Sequence, residues 1–239
     1  MNKELIHQRF AKNLKSYDEN ARIQKRMAER LMDFAKKKEY DNILEIGCGT
    51  GFLTRLINEN LTFKTYTAVD IVENCESFIK NINPNIQFFG EDIEVFLDKN
   101  IQNYDLIVSN ATLQWIENFE PLVKKLETLL NPNGELIFST FGKENFREIY
   151  HLLGTSLNYY SEKELKDLFK TSTITPEIHI MAFSEPKEVL RHLQLTGVNA
   201  IEQKSWTKKD LTKFENGYKN ICSKRPTLTY NPIYIHTIK

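Results

Sequence analysis

Short apolar segments alternate with amphipathic segments through the first 141 residues, and this alternation constrains the fold more than any other feature of the chain. Apolar or β-branched runs begin near residues 42, 65, 86, 104 and 134. The segments between them have helical periodicity and cover residues 52–60, 73–82, 93–98 and 119–130. Strands that alternate with helices at this spacing form βαβ units. The sequence therefore predicts an α/β fold built on a mostly parallel, twisted sheet.

The two ends of the chain extend this pattern. Residues 20–38 place apolar side chains three and four positions apart, which predicts a helix before the first strand. After residue 142 the order changes to two helical segments, a strand-like stretch at 173–183, two more helical segments and a closing strand at 228–239. No repeat or flexible linker divides the chain, so we expect one domain over residues 1–239.

Composition excludes several classes of protein. Lysine plus arginine total 32 and aspartate plus glutamate total 32, so no net field draws the chain to nucleic acid or to an anionic membrane. The charged N-terminal segment lacks the apolar centre of a signal peptide, and no run of about 18 apolar residues occurs. We expect a cytoplasmic protein with no membrane contact.

Cysteines and histidines give no sign of a metal site. The three cysteines are far apart and form no C-x-x-C pair. The five histidines show neither the H-E-x-x-H motif nor another ligand spacing. We therefore expect no bound metal and no disulfide framework.

A glycine-rich turn, "LEIGCGTG" at residues 44–51, directly follows the first strand. Its glycines have the spacing G-x-G-x-G, whereas the dinucleotide fingerprint is G-x-G-x-x-G. Glu45, near the strand end, would set a carboxylate against the ligand, which suits a cation and not a pyrophosphate. The turn favours a positively charged or zwitterionic ligand.

Acidic and polar residues also follow the next three strands. Asp70 lies 19 residues after Gly51, where a carboxylate can accept hydrogen bonds from both hydroxyls of a ribose. Asp92 could accept from an adenine amino group, with Ile93 against the ring. Asp70 alone fits NAD and S-adenosylmethionine equally, but the four positions together fit a nucleoside with a cationic sulfonium best.

These residues resemble a known family. The block from Glu45 to Gly51, with Asp70, Asp92 and "YDLIVSNATLQW" after them, is similar to the class I S-adenosylmethionine-dependent methyltransferases. Within that superfamily the chain resembles the malonyl-acyl-carrier protein O-methyltransferases of biotin synthesis. The similarity runs nearly end to end, through "RFAKNLKSYDENARIQ", "FSTFGKENFREI", "EVLRHLQLTGVNAI" and "LTYNPIYI".

The resemblance implies a Rossmann-like fold with about seven strands, the last one antiparallel, and a substrate lid. The lid would comprise the N-terminal helices in residues 1–40 and the helical insertions at about 143–171 and 185–225. The implied cofactor is S-adenosylmethionine. The residues expected to bind it are Tyr17, Gln24, Glu45, Gly47, Cys48, Gly49, Gly51, Asp70, Ile71, Asp92, Ile93, Asn110 and Ala111.

The implied reaction is methyl transfer to the free carboxylate of a malonyl thioester. A carboxylate with a pKa near 4 is already ionised at neutral pH, so we expect no catalytic acid or base. Tyr17 and Trp115 would position the reactants instead. A guanidinium can grip a carboxylate with two hydrogen bonds, so an arginine is expected in the acceptor site. The residues expected to bind the substrate are Trp115, Arg147, Arg191, His192 and Asn199.

Acyl-carrier protein is the partner that the resemblance implies, and we expect the enzyme to be a monomer. Since the carrier is acidic, basic side chains should lie beside the pocket mouth. The candidates are Lys36 to Lys38, Lys124, Lys125, Lys163, Lys166, Lys208 and Lys209. Three alternatives stay open: a methyltransferase for another carboxylic acid or an amine, a nicotinamide-dependent oxidoreductase, and a non-catalytic cofactor-binding module.

Overall fold

Nine strands and ten α-helices make up the part of the chain that the structure, a computed structural model, describes, which is residues 3–196, 207–222 and 225–239. The strands are β1 (Glu39–Ile46), β2 (Thr62–Asp70), β3 (Gln87–Gly90), β4 (Tyr104–Asn110), β5 (Leu130–Phe141), β6 (Thr173–Pro176), β7 (His179–Ala182), β8 (Thr227–Tyr230) and β9 (Pro232–Ile238). The helices are α1 (Lys3–Asn20), α2 (Arg22–Met32), α3 (Phe52–Asn60), α4 (Glu76–Ile82), α5 (Ile93–Lys99), α6 (Phe119–Thr128), α7 (Arg147–Leu153), α8 (Glu162–Leu168), α9 (Pro186–Leu195) and α10 (Lys208–Ile221).

Seven strands form one sheet in the order β3-β2-β1-β4-β5-β9-β6. The first five pair in parallel, and β9 runs antiparallel to both β5 and β6. Chain order reverses between β1 and β4, and ligands of open α/β sheets bind beyond the carboxyl ends of the strands at such a point. This confirms the predicted fold class, including the antiparallel last strand.

One antiparallel ribbon leaves the sheet near its edge. The sequence predicts single strands at 173–183 and 228–239, but each is divided, because β6 pairs with β9 in the main sheet while β7 pairs with β8 apart from it. The register continues unshifted across the break, from Pro176 opposite Ile233 to His179 opposite Tyr230. Pro232 has no amide hydrogen to continue the ladder. The ribbon therefore turns away at this proline and packs β8 against α7.

Two helices precede the first strand. The predicted helix at 20–38 is α2, which begins at Arg22 and already ends at Met32, and α1 lies before it. Ile23, Met27 and Leu31 of α2 are buried against the sheet, as the helical period predicts.

Alternate residues of β1 face opposite sides of the sheet and divide the core into two layers. Ile43 packs in the layer that includes Met27 and Ile57, whereas Leu44 and Ile46 pack in the layer on the other side. Glu45 shares the side of Ile43, and its carboxylate is thereby placed under α3.

A buried polar network lies at one end of the sheet, opposite to the end at which the parallel strands have their carboxyl termini. Glu135 in β5 accepts hydrogen bonds from His236 Nε2 at 2.8 Å, Tyr40 Oη at 2.8 Å and the Lys36 amide at 3.2 Å. Burial opposes the charged form of Glu135, but these hydrogen bonds outweigh it and hold its pKa below the usual value.

Replacing Glu135 with alanine should lower the free energy of unfolding by about 3 kcal/mol, because Tyr40 and His236 would then be buried without their partner. Urea unfolding at pH 7 measures this loss. Asp41→Asn, which removes the exposed ion pair with Lys64, is the control and should cost less than about 1 kcal/mol. Equal stability of Glu135→Ala and the wild type would contradict the network's role.

Candidate functional site

A deep cleft lies at the carboxyl ends of β1 to β4 and beneath α1. Most of the residues that the sequence assigns to a cofactor line it. They are Tyr17, Gln24, Glu45, Gly47, Cys48, Gly49, Asp70, Ile71, Asp92, Ile93, Asn110 and Ala111. Gly51 does not line the cleft, because it begins α3 and its Cα faces Ile82.

The turn after β1 presents backbone to the cleft. Gly47 and Gly49 both have positive φ, 71° and 53°, a conformation that costs other residues free energy. A Cβ on Gly47 would lie 2.1 Å from Thr112 Oγ1, whereas a Cβ on Gly49 would meet nothing within 4 Å. Gly47 therefore permits close packing of two strand ends, and Gly49 leaves open space for a ligand.

Asp70 ties the end of β2 to this turn. Its Oδ2 accepts a hydrogen bond from the Gly49 amide at 2.8 Å, and its Oδ1 accepts one from the Val72 amide at 2.9 Å. Burial raises the pKa of Asp70, and the two amide hydrogen bonds counter the shift. Each oxygen keeps a second lone pair, so the carboxylate can still accept from a pair of hydroxyls in the cleft.

Glu45 borders the cleft from below and is only 1% exposed. Its Oε2 accepts hydrogen bonds from Thr54 Oγ1 at 2.6 Å and Tyr66 Oη at 2.5 Å. Burial raises the pKa of Glu45 to about 7, and the charge of Asp70 adds to this rise. The carboxyl group thus changes charge near neutral pH, and a cation in the cleft would favour its ionised form.

Helix α1 covers the cleft with one face. Ile6, Phe10, Leu14 and Tyr17 recur at helical spacing and all line the cleft. Phe10 packs edge-to-face on Trp115 with ring centroids 5.7 Å apart. The helix therefore supplies the apolar wall opposite the strand ends.

Polar contacts hold α1 down at both ends. Lys3 Nζ pairs with Asp92 at 2.7 Å and with Glu94 at 2.5 Å. Thr50 Oγ1 donates to Asp18 Oδ1 at 2.5 Å. Asp92, which the sequence predicts to meet an adenine, thus also holds α1 through its ion pair with Lys3. It is in addition the N-cap of α5, where its side chain accepts a hydrogen bond from the Glu94 amide.

A smaller inner chamber opens beside the cleft and shares several walls with it. The shared residues are Phe10, Tyr17, Gln24, Ala111 and Trp115. The remaining walls are mostly aromatic or polar and uncharged, and comprise Gln114, Phe141, Asn145, Phe146, Leu157, Tyr159 and Thr196. Within the described ranges, no lysine, arginine or histidine lines this chamber.

The carboxyl end of β4 and the residue that follows it form part of the wall between the two cavities. Ala111 has a φ of 50°, and its amide donates to Ser139 Oγ at 2.9 Å. Ser139 Oγ donates in turn to Asn110 Oδ1, and Asn110 Nδ2 donates to the Gln24 carbonyl at 2.9 Å. This chain of hydrogen bonds fixes α2 to the sheet and holds a strained residue at the site.

The structure does not bring the predicted arginines to either cavity. Arg147 is exposed and pairs with Glu144 at 3.3 Å, and Arg191 is exposed on α9. His192 is buried, with Nε2 2.6 Å from Tyr230 Oη, and burial lowers its pKa to about 4. It is therefore a neutral core residue. Asn199 lies outside the described residues.

The predicted basic patch is also dispersed. Lys36 to Lys38 precede β1, at the opposite end of the sheet from the cleft, and Lys37 Nζ donates to the Asn133 carbonyl. Lys124, Lys125 and Lys166 are in ion pairs with Glu120, Asp98 and Glu162. Lys208 and Lys209 begin α10.

Sequence reasoning missed several wall residues. Ile6, Phe10 and Leu14 carry an apolar helical period that could have revealed α1 as a cover. Gln114 lies four residues past the end of β4, where polar residues were sought, but nothing in the sequence distinguishes it from a surface glutamine. Asn145 and Tyr159 carry no signal, because only the return of the chain after β5 brings them here.

The described residues contain neither a metal-binding group of side chains nor a membrane-spanning helix. No group of three or more histidine, cysteine, aspartate or glutamate side chains there could hold a metal ion. None of the helices in those residues has the length and apolar character needed to cross a membrane.

Comparisons with known proteins agree with this geometry. Residues 17–172 match the model of the methyltransferase domain family. The malonyl-acyl-carrier protein O-methyltransferase of Calditerrivibrio nitroreducens is 38% identical, over 94% of this chain and 92% of its own length. The enzyme of the same name from Chlorobium luteolum is 35% identical, over 97% of this chain and 94% of its own.

Solved structures share the fold at low identity. The N-methyltransferase NodS of Bradyrhizobium japonicum, in complex with S-adenosyl-L-homocysteine, superposes with a TM-score of 0.56 at 15% identity and covers 98% of both chains. A putative methyltransferase of Bacillus halodurans gives a TM-score of 0.62 at 11% identity, over 89% of this chain and 98% of its own.

The titration of Glu45 should appear in the stability of the protein. The folded protein holds this proton up to about pH 7, whereas the unfolded chain releases it near pH 4.5. The free energy of unfolding should therefore fall as pH rises through this window, by about 3 kcal/mol in total. Glu45→Gln removes this contribution.

Urea unfolding of the wild type and of Glu45→Gln between pH 5 and 8 measures the difference. The variant should gain stability relative to the wild type as pH rises. Glu59→Gln, on the exposed side of α3, controls for the loss of one carboxyl group. Parallel curves for Glu45→Gln and the wild type would refute the raised pKa.

Proposed function

Because this chain belongs to the family of malonyl-acyl-carrier protein O-methyltransferases, we propose that it transfers a methyl group from S-adenosylmethionine to the free carboxylate of malonyl-acyl-carrier protein. The product is the malonyl methyl ester that enters biotin synthesis. The observation that carries the proposal is a cofactor cleft that shares walls with an uncharged, aromatic-lined chamber, where we place the acceptor.

The chain's residues fit this cofactor. The open space at Gly49 accepts a ligand against the backbone, and Asp70 beside it can accept from ribose hydroxyls. Ile71 and Ile93 offer apolar contacts for a base, and Asp92 can accept from an adenine amino group. Glu45 adds a carboxyl group to the cleft wall, and a bound sulfonium would favour its ionised form.

When bound, S-adenosylmethionine would supply an electrophilic methyl group: a carboxylate oxygen would bond to the methyl carbon as the carbon–sulfur bond breaks, with the electron pair going to sulfur and S-adenosylhomocysteine leaving. The chain needs no base for this reaction, because the acceptor is already ionised. Its residues orient the carboxylate, and α1 with Trp115 excludes water. Opposite charges cancel during the transfer, so an apolar chamber that desolvates them lowers the barrier.

The helices around the chamber form the lid in this proposal. They are the N-terminal helices in residues 1–40 and the insertions at about 143–171 and 185–225. Asn13 Nδ2 of α1 donates to the Gln194 carbonyl of α9 at 3.1 Å, so two parts of this lid are joined by a hydrogen bond. The proposal includes a monomeric, cytoplasmic enzyme whose protein partner is the acyl-carrier protein.

The decisive experiment is mass spectrometry of malonyl-acyl-carrier protein after incubation with the enzyme and methyl-labelled S-adenosylmethionine. One labelled methyl group should appear on the malonyl moiety, and alkaline hydrolysis should remove it as an ester. Acetyl-acyl-carrier protein, which lacks the free carboxylate, is the control. A malonyl group that stays unlabelled while the cofactor binds would overturn the proposed acceptor.

Gly49→Ala should weaken cofactor binding more than folding. The new methyl group would occupy the open space of the cleft, so we expect the dissociation constant of S-adenosylhomocysteine to rise at least about tenfold, while the positive φ costs about 1 kcal/mol of stability. Calorimetric titration and thermal unfolding measure the two effects. Gly154→Ala is the matched control, since Gly154 also has positive φ and open space but lies at the end of α7. Equal affinities in both variants would contradict the role of Gly49.

A further inference from the structure

We propose that the side-chain amide of Gln24 contacts both reactants: Nε2 donates a hydrogen bond to the acceptor carboxylate, and Oε1 faces the positively charged methyl group of the donor. The inference rests on the proposed function and deepens it, because it names the group that recognises the carboxylate in place of an arginine.

Gln24 is buried but uncommitted. Its side chain is 6% exposed, its Oε1 is fully buried without a hydrogen-bond partner, and its amide makes no hydrogen bond to any described residue. Leaving a buried amide unpaired costs free energy, so such a group in a cavity wall indicates a missing ligand.

The position of Gln24 suits a group that touches two ligands. It lines the cofactor cleft and also the inner chamber, next to Tyr17, Ala111 and Trp115, which do the same. Its backbone carbonyl accepts from Asn110 Nδ2, so the side chain starts from a fixed point on α2. A primary amide carries a donor and an acceptor on one rigid group, so it can face a carboxylate and a cation together.

Each of the other amides in the same walls already donates one N–H to a protein acceptor, and Gln24 is the described amide there with neither N–H bonded. Asn110 Nδ2 donates to the Gln24 carbonyl, Gln114 Nε2 to the Ala111 carbonyl at 2.6 Å, and Asn145 Nδ2 to Tyr159 Oη at 2.9 Å. Gln114 Oε1 is also buried without a partner, but an oxygen cannot donate to a carboxylate. The amide of Gln24 is therefore free to donate without breaking a hydrogen bond that already holds its side chain in place.

The charge of the chamber supports a neutral donor. Its described walls include no basic side chain, so none of those wall residues neutralises a bound carboxylate. A guanidinium would stabilise the ionised acceptor more than the transition state, in which that charge is being lost. An amide orients the oxygen without this penalty.

The first test measures binding, not turnover. Titration of the S-adenosylhomocysteine complex with malonyl-acyl-carrier protein should give an affinity about 10- to 100-fold weaker in Gln24→Leu than in the wild type, the range expected for a hydrogen bond to a charged group. Malonyl methyl ester on the same carrier should bind both proteins alike. Gln114→Leu is the matched control and should retain the preference for the free carboxylate.

The second test does not depend on the acceptor. In Gln24→Glu the introduced negative charge should raise the affinity for S-adenosylmethionine relative to S-adenosylhomocysteine by about tenfold at pH 8, because the two ligands differ by the sulfonium charge. The same variant should lose activity at pH 8 and recover part of it near pH 6, as the introduced carboxyl group takes up a proton and becomes a donor. Thermal unfolding verifies that each variant is folded.

The outcomes separate the two proposals. A wild type that fails to methylate malonyl-acyl-carrier protein overturns the proposed function, while the affinity ratio of Gln24→Glu still tests the contact with the donor. An unchanged ratio in that variant, or equal loss of carboxylate and ester binding in Gln24→Leu, overturns the role of Gln24.

Discussion

The hydrogen bond from the Gly49 amide to Asp70 is the contact on which the site depends. It joins the turn after β1 to the end of β2, and the amide of Gly47 makes a parallel contact with the Val69 carbonyl at 2.7 Å. These two contacts fix the turn after β1 against the end of β2, beside the point between β1 and β4 where the chain order of the sheet reverses. The cleft follows from this arrangement of the backbone, and the side chains around it only refine its chemistry.

Charge is distributed unevenly over the two cavities. The cofactor cleft carries the carboxyl groups of Glu45, Asp70 and Asp92, whereas the described walls of the inner chamber are uncharged. A cationic donor is thereby favoured on one side, and an anionic acceptor is desolvated on the other. The arrangement suits a reaction in which the two charges cancel.

Much of the fold and the cleft could be predicted because local pattern determines them. Strands ending in Glu45, Asp70 and Asn110 place those residues at one edge by topology alone. Arg147 and Arg191 are exposed on α7 and α9 and line neither cavity, so their role in holding the acceptor carboxylate stays a prediction. Which face of each helix packs against the protein is decided by the folded chain, so residue type alone did not reveal that these two side chains face solvent.

The acceptor chamber could not be predicted, because its walls combine residues from the first half of the chain with residues of the segments that follow β5. Asn145, Tyr159 and Gln114 lie far apart in sequence, and their convergence depends on the division of the last strands at Pro232, which brings β8 against α7. Gln24 could be named from the resemblance, but not as an unpaired amide, since hydrogen-bond satisfaction is a property of the folded chain.

The wall shared by the two cavities also constrains the kinetics. Phe10 and Tyr17 belong to α1 and border both the cofactor cleft and the acceptor chamber. A displacement of α1 that opened the cofactor cleft would therefore open the chamber as well. One helix that walls both cavities couples access to the two.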